Sequence, residues 1–362
     1  MRLLYWLKHT YMHLKLAKIF MGCFIVSASV GSYSQSRAQL SGHRNLLALS
    51  KADHVLDIID PITLKIIASV PVGPDPHEVA ASADGKTAYV TNMGHGDSHQ
   101  INVIDLAARK PLADVDTRPL YGPHGIFFAG GKVWFTAQDS KSIGRYDPDA
   151  ARLDWSMGTG QDWTHMIYVV PGERKIYTTN VRSGTVSIIE DALVSPPPPP
   201  AGAHPYPDAK PQLTWQQTLI PVSKGSEGFD VSPDGRQIWT AASEDGKISI
   251  IDTGSKKVIA TIDAKVVGAN RLKFTPDGKY VFISSLRSGD LFIYDATTHK
   301  EVKRLSIGHG AAGILMDPDG SRAFVACTGD NYIVVVDLKK LELTGQRIDV
   351  GGPDGMDWAL QP

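Results

Sequence analysis

From about residue 46 the chain is written as short apolar runs separated by polar turns. The most regular runs are β-branched and end on an aspartate: Ile101-Asn-Val-Ile-Asp105, Ile248-Ser-Ile-Ile-Asp252, Leu291-Phe-Ile-Tyr-Asp295 and Ile333-Val-Val-Val-Asp337. Such runs predict strands, and the closing Asp suits the start of a turn. Upstream of each lies a pair of strands joined by an Asp-Gly turn, whose glycine supplies the positive φ of a tight hairpin. The unit starting at His77 recurs at His124, His165, Glu227, Asn270 and Ala312, with a last copy at Asp354. The intervals run from 41 to 47 residues, except for one of 62.

An interval of about 40 to 45 residues is one four-stranded propeller blade. The first copy, from Leu46-Leu-Ala-Leu49 through Val55–Asp60 to Ile66–Val70, supplies three strands, and the run from Met356 to Leu360 supplies a spare one. Together they predict an all-β, seven-bladed propeller of four-stranded antiparallel blades, closed by pairing the N- and C-terminal strands and so leaving only short sheet edges. The long interval is assigned to a Pro-rich insertion at 191–212, with prolines at 196 to 200, read as a stiff spacer between the third and fourth strands of its blade.

In that topology the start of each first strand and each loop between second and third strands lie at one end of the channel. His77, Glu78, His124, His165, Glu227, Asn270 and Arg271 are therefore expected to converge at this mouth, with Asn92, His95, Asp97, His99, Asn180, Arg182, Asp245, Arg287, His309 and Asp330 on loops at the same end. Imidazole and carboxylate suit a divalent transition metal, so His77, His124, His165 and Glu227 are the candidate metal ligands. His124, His165, Glu227 and Arg271 are the candidate catalytic residues, with Arg271 available for an anionic group. The competing reading is that channel mouths are wet and polar residues there need no ligand; His95 and His99 in particular read as exposed loop histidines. No nucleophile elbow, Walker loop, dinucleotide fingerprint, HExxH or CxxC stands in a supporting context, which argues against hydride and phosphoryl transfer.

The 37 Lys plus Arg against 38 Asp plus Glu leave no field to attract nucleic acid or an anionic membrane. Residues 1–38 read as an export signal, with Lys15 and Lys18 before the apolar run Ile19 to Val30 and small Ser36 and Ala38 before Gln39. A start at Met12 would give that signal a more usual length. The mature chain, 39–362, is then expected to be a periplasmic or secreted monomer without a membrane span. Its partner would be a small-molecule ligand or a periplasmic protein. Cys327 is its one cysteine, so no intrachain disulfide supports it, and it reads as a small buried apolar residue.

Tyr89-Val-Thr-Asn92 after Ala83-Asp-Gly-Lys86, Tyr177-Thr-Thr-Asn180, and the Pro-Asp-Gly turns at 233–235, 276–278 and 318–320 resemble the repeats of the YVTN β-propeller family. The resemblance runs over the whole mature chain. It implies the propeller fold and a mixed functional range: periplasmic YncE-type proteins, surface-layer repeats, propeller lactonases and subunits of quinone-linked dehydrogenases. Pro123-His-Gly-Ile126 is similar to the blade start of the virginiamycin B lyase type, a metal-assisted ring-opening enzyme, although a single blade carries that form and the lyase's His and Glu pair has no matching positions. The functional expectation is a metal-assisted hydrolase or lyase acting on a cyclic ester or similar small molecule; the alternative is a non-catalytic binding scaffold.

Overall fold

The computed structural model describes residues 44–93, 97–204 and 210–361; the expected export signal and its cleavage site lie outside them. Seven antiparallel sheets stand around one axis. Blade one takes its innermost strand from the C terminus, Pro353–Leu360, which pairs with Arg44–Ser50 and is followed by Val55–Asp60 and Lys65–Pro71. The expected ring closure is therefore the observed one: Arg44 faces Leu360, Leu46 faces Trp358 and Ala48 faces Met356.

Blades two to seven each run outward in sequence order, from first strands at Pro76–Ala81, Pro123–Ala129, Thr164–Val169, Ser226–Val231, Ala269–Phe274 and Ala311–Met316. The outer strand of blade two is split into Lys110–Pro111 and Val115–Asp116, both paired with Gln100–Asp105. In blade four the strands flanking the Pro-rich segment continue into it, as Thr185–Val194 and Gln212–Pro221, in register from Thr185–Pro221 out to Val194–Gln212.

The turns form as the residue types dictate. Ser82 Oγ donates to Asp84 Oδ1 at 2.7 Å, the Lys86 amide donates to the same oxygen at 3.1 Å, and Gly85 takes φ of 71°. The same arrangement recurs at Ser232, Asp234 and Gly235. At the other hairpin the strand-closing aspartates act as predicted: Asp60, Asp295 and Asp337 each accept from backbone amides two and three residues on.

Packing closes the ring a second time. Each of the seven buried apolar clusters joins two neighbouring blades. One of them sets Phe324, Ile333 and Val335 of blade seven against Leu46, Ala48 and Ile59 of blade one. Cys327 is fully buried in another, as expected of a small apolar residue. Among the described residues no helix is long and apolar enough to cross a membrane.

Towards the axis the blades touch backbone to backbone. A Cβ on Gly125 would lie 2.3 Å from His165 O, on Gly228 2.4 Å from Asn270 O, on Gly313 2.0 Å from Asp354 O, and on Gly355 2.4 Å from His77 O. These glycines follow the second residue of their strands, so their missing side chains let the neighbouring strand approach and draw the residues before them together.

Candidate functional site at the channel mouth

The second residue of every innermost strand lines one cavity of about 270 Å³: His77, His124, His165, Glu227, Asn270, Ala312 and Asp354. Lys51, Gln138, Trp163 and Arg271 complete its polar and aromatic wall. One repeat position, read seven times, thus becomes a ring around the axis. A larger recess of about 440 Å³ opens beside the long hairpin of blade four, but its Arg174 and Lys175 are paired with Asp191 and Glu190.

The backbone of this ring is held by hydroxyls from the preceding blade. Thr91 Oγ1 donates to His124 O at 2.5 Å, Thr136 Oγ1 to His165 O at 2.6 Å, Thr179 Oγ1 to Glu227 O at 2.7 Å, and Ser284 Oγ to Ala312 O at 2.6 Å. The threonine of the Tyr-Val-Thr-Asn pattern is therefore an inter-blade latch that sets the height of a cavity residue. The asparagine serves the blade itself: Asn92 Nδ2 donates to Asn102 Oδ1 and Asn180 Nδ2 to Ser187 Oγ, so neither reaches the cavity.

The three imidazoles lie against one another. The ring centroids of His124 and His165 are 3.9 Å apart at 32°, and those of His77 and His124 are 4.7 Å apart at 58°. His124 is 1% exposed and His165 7%. Burial holds both imidazoles well below the ordinary histidine range; neighbouring His165, His77, Arg271 and Lys51 add to this for His124, and Arg271 and His77 for His165. Both are neutral at pH 7. His165 Nδ1 lies 3.0 Å from Gln138 Oε1, which can only accept, so the proton sits on Nδ1 and Nε2 keeps its lone pair. His124 Nδ1 is buried with no hydrogen-bond partner.

The charged groups form a clasp across the two chain ends. Lys51 Nζ lies 2.8 Å from Asp75, 3.3 Å from Asp354 and 2.9 Å from His77 Nδ1. Arg271, 6% exposed, reaches across the channel to Glu78 and comes within 3.8 Å of Asp354. Burial alone would lower the guanidinium's pKa, but Glu78, Asp354 and Glu227 outweigh it and raise it, so Arg271 stays charged. Its Nη2 is engaged by Glu78, with Asp354 nearby, so part of the charge that the sequence reading offered to an anionic group is already matched by carboxylates. Burial raises the Glu227 carboxyl above its usual range, against the pull of Arg271 and of the 2.7 Å hydrogen bond from Asn270 Nδ2.

The four expected metal ligands surround this cavity, but their donor atoms are not gathered on one point. Two imidazoles bound to one tetrahedral ion at about 2.1 Å have centroids roughly 5 Å apart, whereas those of His124 and His165 are 3.9 Å apart. Among the described residues no group of three or more His, Cys, Asp or Glu is placed to hold a metal ion. As they stand, these residues do not fit a metal ion.

Of the loop residues expected at this end, several make other contacts. His309 pairs with Asp330 at 2.9 Å on the surface, Asp245 with Lys247 at 2.9 Å, and His99 packs against Tyr121. Arg182 lies 3.7 Å over the Trp163 ring, Asp97 is exposed, and neither Arg287 nor Asp97 lines the cavity. His95 lies outside the described residues.

The model of the cytochrome D1 heme domain family matches residues 201–322. No curated protein matches the chain by sequence. Among solved structures it is similar to a 6-phosphogluconolactonase-type protein of Bacteroides fragilis, with TM-score 0.69, 16% identity, and 89% of this chain and 99% of that one covered. Hydrazine synthase of Kuenenia stuttgartiensis gives TM-score 0.62 at 16% identity, covering 78% and 89%. A dihydro-heme d1 dehydrogenase gives 0.58 at 16%, covering 87% and 75%. The chain is a seven-bladed β-propeller that fits a YVTN-like repeat family and is related in fold to lactonase and heme d1 propellers.

Proposed function

We propose that this chain is an exported propeller that acts on a small molecule at its channel mouth, opening a cyclic ester by general acid–base catalysis. The observation that carries the reading is the buried, closely packed pair of neutral imidazoles, His124 and His165, in a cavity that also holds a carboxyl whose pKa is raised. A buried imidazole with an open lone pair and a carboxyl that holds its proton more tightly than usual can serve as base and acid in one cavity.

In this reading His165 Nε2 takes a proton from water as the water oxygen bonds to the ester carbonyl carbon. The ring carbon–oxygen bond then breaks and the leaving oxygen takes the proton of Glu227; solvent returns both groups to their starting states. His124 lies against His165 at 3.9 Å between ring centroids and covers that side of the ring. The cavity, about 270 Å³, lies just below the usual range for drug-sized ligands, which favours a compact metabolite over a macrocycle of the kind the heme d1 relatives' names imply. A phosphorylated lactone, implied by the name of the Bacteroides neighbour, would meet two cations already neutralised by carboxylates.

The test is acid release from a panel of five- and six-membered lactones by the purified protein, followed in a pH-stat. His165→Gln and Glu227→Gln are expected to lower kcat by about 10²- to 10⁴-fold. No release above buffer from any lactone would refute the catalytic reading and leave a binding module. Loss of turnover on chelation, restored by Zn²⁺, would replace the acid–base reading with the metal-assisted one.

A further inference from the structure

Each blade ends on an outer strand whose far edge meets no other strand among the described residues. Natural sheets guard such edges with charge, and six of the blades do so. The outer strands at Lys65–Pro71, Lys110–Pro111 with Val115–Asp116, Arg152–Gly158, Lys257–Ile262, Glu301–Ser306 and Glu342–Asp349 all carry Lys, Arg, Asp or Glu. Blade four does not. Its outer strand, Gln212–Pro221, is ten residues long, the longest of the set, and holds no charged side chain.

One hydrogen bond fixes the phase of that strand. The Val222 amide donates to Gly184 O at 2.9 Å, in step with the Thr185–Pro221 register, so the even-numbered residues bond inward. Leu213, Trp215, Gln217 and Leu219 then turn their N–H and C=O groups outward. Trp215 O has drawn a donor from its own chain, the Gln216 side-chain amide at 3.2 Å. Outward residues of two antiparallel strands must face one another, which puts the two-fold axis of a symmetric pair on a residue and not between two.

With the axis on Gln216 the sequence reads nearly the same in both directions. Leu213 faces Leu219 of a second copy, Thr214 faces Thr218 and Pro211 faces Pro221; only Gln212 with Ile220 and Trp215 with Gln217 are unlike. The two prolines have no N–H to donate and end the ladder on both sides. Exposed apolar groups fall into the same register: Leu213 is 57% exposed beside its cross-strand neighbour Leu193 at 67%, and Leu219 is 43% exposed. Pairing sets Leu193, Leu213 and the second copy's Leu219 in one row across the sheet.

We infer that the chain forms a two-fold dimer through this edge, two copies of Gln212–Pro221 pairing antiparallel about Gln216 and joining two four-stranded blades into one sheet. About eight backbone hydrogen bonds then link the copies. The dimer stands in place of the monomer expected from the sequence, and it does not depend on what the channel mouth binds.

Sedimentation velocity of the purified full-length protein from about 1 to about 100 μM tests it, and a dimer with a micromolar Kd is expected. Leu213→Lys alters an exposed position, leaves the inward ladder intact and sets a charge against Leu219 of the second copy; it should weaken association at least about 30-fold. Adding Leu219→Glu places opposite charges face to face and should recover most of that loss, less so as salt rises. Register is read by air oxidation in a Cys23→Ser background, Cys327 being buried. Gln216→Cys lies on the axis, where facing Cα atoms come to about 4.5 Å, and should cross-link the dimer, whereas Gln212→Cys at the strand's end should not. A monomer mass across the whole range overturns the inference and leaves the edge to a foreign strand. A Leu213→Lys protein that dimerises unchanged, or equal cross-linking by the two cysteine variants, overturns it as well.

Discussion

Substituting Gly228 by alanine tests the tight inner ring directly. A Cβ there would sit 2.4 Å from Asn270 O and 2.7 Å from Arg271 Cα, both backbone atoms of the next blade's innermost strand. A carbon–oxygen contact of this kind settles at about 3.3 Å, so the strands must part by close to 1 Å. In an open sheet an edge could swing away; in a closed ring the displacement is resisted by six other interfaces. Overpacking of this sort costs about 1–3 kcal/mol, which for a domain of this size lowers Tm by roughly 2–5 °C. The control is Gly158→Ala, on an exposed outer strand where a Cβ meets nothing within 4 Å; it should stay within about 0.5 kcal/mol of the parent. Urea unfolding followed by tryptophan fluorescence reads both. Equal midpoints for the two variants would refute the claim that the innermost strands are in backbone contact.

Deleting residues 355–362 removes most of the strand that pairs with Arg44–Ser50, together with the Trp358 indole that donates to Met316 O at 2.9 Å. The exposed edge and opened core should abolish the cooperative melt, and a circular-dichroism transition within a degree or two of the intact chain would contradict ring closure by the C terminus. Stability should also depend on His124 and His165. Their folded pKa values are depressed, so their contribution is complete above the unfolded value of about 6.5 and is lost as pH falls through the window below it. The slope is up to about 1.4 kcal/mol per pH unit for each histidine; denaturant midpoints between pH 7 and 5 should fall accordingly, and less steeply in His165→Gln. Removing an inter-blade latch with Thr136→Val leaves His165 O without its donor and should cost about 1–2 kcal/mol, measured by the same titration, whereas an unchanged midpoint would deny the latch its role.

The repeat made the architecture legible, because blade length, the Asp-Gly turns and the Asp-terminated third strands are all local signals. It also made half of the site legible: His77, His124, His165, Glu227 and Asn270 occupy one repeat position, and the topology alone brings that position to the axis. Asp354 carried the same signal, but the last copy reads first as a closing strand. Lys51, Gln138 and Trp163 come from loops outside the repeating pattern, and only the folded ring shows that they border the cavity. The pairing of Arg271 with Glu78, 193 residues apart, was beyond sequence reasoning for the same reason. That pair makes the arginine a tie between two distant blades, a role the sequence reading of Arg271 as an anion receptor did not include. The roles of Tyr-Val-Thr-Asn threonine and asparagine were likewise hidden, since a latch to the next blade's carbonyl leaves no mark on the composition of either strand.

Histidine-selective NMR of the purified protein reads the centre of this account most directly, through the protonation and tautomer of His124 and His165. Both rings should remain neutral from pH 7 down through 6, with the His165 proton on Nδ1. Two resonances titrating near pH 6.5 in the manner of exposed histidines would contradict the buried imidazole pair and the site built upon it.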